Sequence, residues 1–174
     1  MLTGRVASRG AAGMRGSGEC GVELGEVIGS LAVKVGAQPL LLLFSENALV
    51  LARPRFGLAR SLVTLGVRFE SLLDVREIVR LSRMGREELR KRVEELVGEG
   101  RLLIAGLIPL DRVVKVVLRK GLLGGVKLEI HVAEGRRITL GLVYGVRAGI
   151  SRGEAVELAE RLAGEAGLAL EERL

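Results

Sequence analysis

The chain has 174 residues, with 27 Lys and Arg against 21 Asp and Glu for a formal net charge of +6, and it is 48% hydrophobic but only 2% aromatic. High apolar content excludes a wholly disordered chain, the single Cys20 excludes a disulfide scaffold, and no apolar run approaches the ~20 residues of a bilayer-spanning helix. The expectation is a soluble, cytoplasmic protein of one domain whose core is aliphatic, drawn from 32 Leu and 21 Val. Arg5, Arg9 and Arg15 interrupt the stretch where a secretory signal needs an unbroken apolar segment. The 22 Arg to 5 Lys, 19 Glu to 2 Asp, one Asn and one Gln match the pattern of a hot-environment protein, although GC-rich coding produces a similar Arg excess.

In chain order, residues 1–25 read as a flexible tail of Gly, Ser, Ala and Arg without periodicity. The tail holds a GxGxxG string, Gly16 to Gly21, but no strand precedes it and no helix follows, so the setting of a dinucleotide site is missing. Val27 to Val35 is β-rich; Leu40 to Phe44 and Leu49 to Ala52 form a hairpin around Ser45–Ala48. Leu58 to Val67 fits either a buried helix or a strand. Ser71 to Ser82 has helical spacing, and Arg86 to Val97 is a second helix with Leu89, Val93, Leu96 and Val97 on one face. Strands resume at Leu102 to Ile108 and Val113 to Leu118. Val126, Leu128, Ile130 and Val132 alternate with Lys127, Glu129 and His131, and Ile138, Leu140 and Leu142 alternate again, which predicts an antiparallel hairpin with one buried and one wet face. Ser151-Arg-Gly-Glu154 is a capping box that opens a closing helix with Ala155, Leu158, Ala159 and Leu162 inward.

The inventory is α+β: about seven mostly antiparallel strands curled into a sandwich or small barrel, a helical insertion at about 58–98, and a C-terminal capping helix, with one domain over 26–174. Seven strands and a terminal helix resemble the layout of pleckstrin-homology-like domains, including the prokaryotic PH and GRAM-like groups. The segment from Ile108-Pro-Leu-Asp111 to Gly121 is similar to a strand these domains often carry, and Leu41 to Ala52 to one of their hairpins, with Asn47 where a basic residue is usual. The resemblance implies a non-catalytic interaction module that binds a protein partner and needs no cofactor. Phosphoinositide-binding members of that superfamily cluster Lys and Arg at the first strand-to-strand loop; here Val35 to Pro39 has only Lys34 beside it. Residues 71–103 also resemble helices two and three of a winged helix, which implies nucleic-acid binding through Arg86, Arg90 and Lys91.

Candidate chemistry is sparse. His131 is the only histidine and sits on the polar side of an alternating strand, where a solvated side chain is expected; Cys20 lacks metal or redox spacing; Asp74 and Asp111 are the only aspartates. No catalytic, metal or cofactor residues are assigned. Gly121-Leu-Leu-Gly-Gly125, flanked by Arg119, Lys120 and Lys127, fits an anion-binding nest or a plain strand-to-strand loop. Residues 102–150 balance at +5 and residues 151–174 at −3, so basic surface is available for nucleic acid or acidic protein. Arg53, Arg55 and Arg60 bracket Phe56, the nearest thing in the chain to an aromatic side chain interleaved with a basic cluster. A homodimer is left open.

Overall fold

A computed structural model describes residues 25–55 and 75–174. Three strands come first: β1 (Val27–Val35), β2 (Gln38–Ser45) and β3 (Ala48–Pro54). Two helices follow, α1 (Val75–Ser82) and α2 (Arg86–Gly98), then β4 (Leu102–Pro109), β5 (Val113–Lys120), β6 (Val126–Val132) and β7 (Arg137–Leu142). The chain closes with α3 (Arg152–Glu165) and β8 (Leu170–Arg173). The predicted tail, the ambiguous stretch at 58–67, the start of the first helix at 71–74, and Cys20, Phe56 and Arg60 lie outside the described residues.

The strands form one sheet in the order β4-β3-β2-β1-β7-β6-β5-β8. All neighbours are antiparallel except β8, which runs parallel to β5 with Val116 opposite Leu170. Two expectations change here. The described strands number eight rather than about seven, and the sheet is not closed into a barrel but ends, among the described residues, at β4 and β8. Strand β8 has no strand signature in the sequence because three of its four residues are charged (LEER) and an edge position needs no apolar alternation.

The two halves of the sheet differ in composition for a physical reason. In β1 and β2 consecutive residues are buried, Leu31-Ala32-Val33 and Leu41 to Phe44, so both faces are covered and the sequence reads as unbroken aliphatic runs. Strand β1 lies mid-sheet and touches all three helices. Its register shifts between Val27 and Gly29, and a Cβ on Gly29 would stand 2.4 Å from Leu162 of α3. Glycine at this position lets the closing helix reach the strand. Helix α1 buries Ile78, Val79 and Leu81, and α2 buries Leu89 and Leu96, the face that its spacing predicts.

Helix α3 carries the predicted capping box in full. Ser151 Oγ accepts from the Glu154 amide at 3.2 Å, and the Glu154 carboxylate accepts from the Ser151 amide at 2.7 Å. Among the described residues no helix is long and apolar enough to cross a membrane.

Candidate functional site

The basic residues singled out from the sequence fall in two places. Arg53 ends β3 and Arg55 follows it, its amide donating to the Arg101 carbonyl at 2.9 Å, beside the C-terminal end of α2. Arg86, Arg90 and Lys91 sit in the N-terminal half of the same helix. Thirteen residues at 1.5 Å rise set the ends of α2 about 20 Å apart, so the two groups do not form one patch. Arg86 is paired to Glu165 of α3 at 2.9 Å and Lys91 to Glu87 at 3.4 Å. The helix lies against β1 and β4 through Leu89 and Leu96.

A different cationic arrangement emerges from the strand register. Arg173 of β8 stands opposite Arg119 of β5, Arg119 opposite Lys127 of β6, Lys127 opposite Gly141 of β7, and Gly141 opposite Lys34 of β1. Strand spacing of about 4.8 Å makes this a row about 19 Å long across one face. Like charges placed directly opposite each other destabilise a sheet, so the row is not there to hold the fold. Gly141 supplies space for it: the Lys34 stem runs where a side chain would be, its Cγ 3.0 Å from the place of a Cβ.

The next row along that face compensates part of the charge. Glu129 is only 3% exposed, although alternation placed it on a wet face, and it pairs with Arg119, with His131 at 3.4 Å and with Arg137 at 3.8 Å. Burial alone would push its carboxyl up, but the Arg119 hydrogen bond and the surrounding charges hold it below the usual carboxylate value. The prediction of a wet face fails at this position because flanking Arg side chains fold over the carboxylate. His131, expected to be solvated, is correspondingly half-buried against it. Glu171 likewise takes Lys115 at 2.7 Å and Arg173 at 2.6 Å, and both bonds hold its carboxyl low. Lys34, Lys120 and Lys127 make no ion pair among the described residues.

Two of them, Lys34 and Lys127, line one hollow beside the β5–β6 turn, whereas Lys120 stands opposite Val126 and faces the other side of the sheet. Within the turn the Gly121 amide donates to the Gly125 carbonyl at 2.6 Å and the Gly124 amide to Gly121 at 3.0 Å. Those two amides are committed to the turn itself. Gly124 has φ 81°, which suits glycine. Leu122 and Leu123 at the tip are fully exposed. Below them Tyr144 accepts from the Val126 amide at 3.1 Å, joining the exit of β7 to the start of β6. A hollow of about 460 Å³ lies here, walled by Lys34, Arg119, Lys127, Tyr144 and the two leucines among others. The turn and its cations are legible in the sequence, but Lys34 and Arg173 join them only through strand order.

Among the described residues no three His, Cys, Asp or Glu side chains are grouped to hold a metal ion. Comparison with protein-family models, curated proteins and solved structures found no match for this chain.

Proposed function

We propose that the protein is a non-catalytic interaction module of pleckstrin-homology-like architecture, and that its β5–β6 end receives an acidic, apolar segment of a protein partner. The fold part of the reading is supported by the run β4-β3-β2-β1-β7-β6-β5 with a helix after β7; β8 and the two-helix insertion are additions to that plan. The single observation that carries the function is the juxtaposition of two fully exposed leucines with Lys34 and Lys127, neither of them in an ion pair among the described residues, around one hollow. Exposed apolar side chains ringed by uncompensated charge mark interaction surfaces, and the apolar pair supplies affinity while the lysines select an acidic segment.

The second reading, nucleic acid bound through Arg53, Arg55, Arg60, Arg86, Arg90 and Lys91, meets a helix whose Arg86 and Lys91 already hold acidic neighbours. One set of titrations separates the two. Labelled peptides that combine Glu and Asp with Leu, their charge-reversed counterparts, duplex DNA and structured RNA are titrated by fluorescence anisotropy. The proposal requires saturable binding of the acidic peptides, lost in Leu122→Ser/Leu123→Ser and in Lys127→Glu. Tight DNA or RNA binding with a steep salt slope, abolished by charge reversal at Arg86, Arg90 and Lys91 or at Arg53, Arg55 and Arg60, would replace it.

A further inference from the structure

The two edges of the sheet are built differently. Strand β8 is four residues long and three of them are charged, the usual protection against edge-to-edge pairing. Strand β4 has eight residues, LLIAGLIP, and not one charge. Among the described residues it pairs only with β3 and no strand faces its other side, and Ile104 and Leu107 are 42% and 39% exposed. An uncharged, apolar edge of this length offers both backbone hydrogen-bonding groups and side chains to another strand.

Two details point to the occupant. The β3–β4 register shifts between Leu51 and Ala52, opposite Gly106 and Ile104, which leaves Ala105 as the extra residue of a bulge. Ile104 therefore faces the same side as its partner Ala52, and Leu107 the same side as Val50, two residues away on β3. The two exposed side chains share one face, with Gly106 between them. Among the described residues the packing does not require Gly106: a Cβ there would meet nothing nearer than Leu51 Cβ at 4.0 Å, and its φ is not positive. A glycine in a strand interior whose own chain does not demand it suits the close approach of another backbone.

We infer that β4 pairs with β4 of a second copy of this chain, antiparallel about a two-fold axis between Ala105 and Gly106, and so joins two sheets into one. That axis sets Ile104 of each copy beside Leu107 of the other, on the same face, twice. With no charge on the edge, self-pairing meets no like-charge contact, and each copy brings the apolar surface that the other needs. The contact is small, so association falls at the micromolar end of the range. This dimer is independent of the β5–β6 end, which is built from other strands.

Sedimentation velocity of the full chain over about 5 to 500 μM, a range chosen for a small interface, tests it. The weight-average mass should climb from 18.6 kDa towards twice that value. The double variant Ile104→Lys/Leu107→Lys, which sets lysine against lysine across the axis, should stay at the monomer mass throughout. Hydrogen exchange on the wild type gives a readout free of any folding defect: amides of residues 103–107 should gain protection as concentration rises. A wild type that stays monomeric to the highest concentration, or unchanged exchange in β4, overturns the inference. So does a dimer that persists in the edge variant or is lost instead in Leu122→Ser/Leu123→Ser.

Discussion

Glu129 shows how one buried carboxylate organises a face of the sheet. It is ionised because Arg119, Arg137 and His131 surround it, and they are ordered because it is there. Its folded pKa is depressed, so the stability it contributes is complete above the unfolded value and disappears as pH falls through the folded one. Glu129→Gln should cost about 1–3 kcal/mol at neutral pH by chemical denaturation, with the difference shrinking under acid. Ser30 is the opposite case, a buried hydroxyl with no hydrogen-bond partner among the described residues. Ser30→Ala removes an unsatisfied polar group and should raise the thermal midpoint, where a loss of stability would reveal a partner for the hydroxyl. Gly29→Val would force Leu162 aside and should destabilise by about 1–3 kcal/mol, measured in the same unfolding experiment. None of these three contexts is visible in sequence. Alternation marked Glu129 as exposed, and only the positions of β5, β7 and α3 show otherwise.

At the scale of elements, what was legible followed from local physics. The β6–β7 hairpin announced itself by alternation, α2 by the spacing of Leu89 and Leu96, and α3 by Ser151 and Glu154. Ser151→Ala should cost about 1 kcal/mol of unfolding free energy. The same substitution keeps the residue-151 backbone amide, the main cause of the low Glu154 carboxyl pKa, and removes only the hydroxyl, so NMR titration of Glu154 should move only part of the way towards the ordinary value. Where α3 meets β8, Glu160 lies against Glu172, which with partial burial and Glu157 pushes its carboxyl up. A raised folded pKa means that Glu160 favours the fold most at low pH and loses that contribution as pH rises through the folded value. Glu160→Gln should therefore raise the melting temperature at pH 7 and change it little well below the carboxylate range; an equal gain at both pH values would refute the like-charge contact. Illegible elements had a common cause. Strand β8, the order of the strands and the cationic row from Lys34 to Arg173 depend on pairings between residues far apart in the chain.

On the scale of the whole molecule, the sheet carries two unlike surfaces. Its β4 edge is neutral and apolar, while its β5–β6 end is cationic with an apolar tip. Salt should distinguish them: screening weakens lysine recognition of an acidic segment and relieves repulsion between two chains of net charge +6. Peptide affinity should thus fall with ionic strength while self-association holds or rises. The central claim concerns the β5–β6 end, and the most direct measurement is anisotropy of one acidic leucine-bearing peptide against the wild type, Leu122→Ser/Leu123→Ser, and Arg86→Glu/Lys91→Glu. The account predicts saturation by the wild type and by the α2 variant. It also predicts a loss of roughly tenfold or more per leucine removed, since burying each is worth about 1.5–3 kcal/mol. Equal binding by the leucine variant, with loss in the α2 variant, would contradict it and move the interaction to the helix.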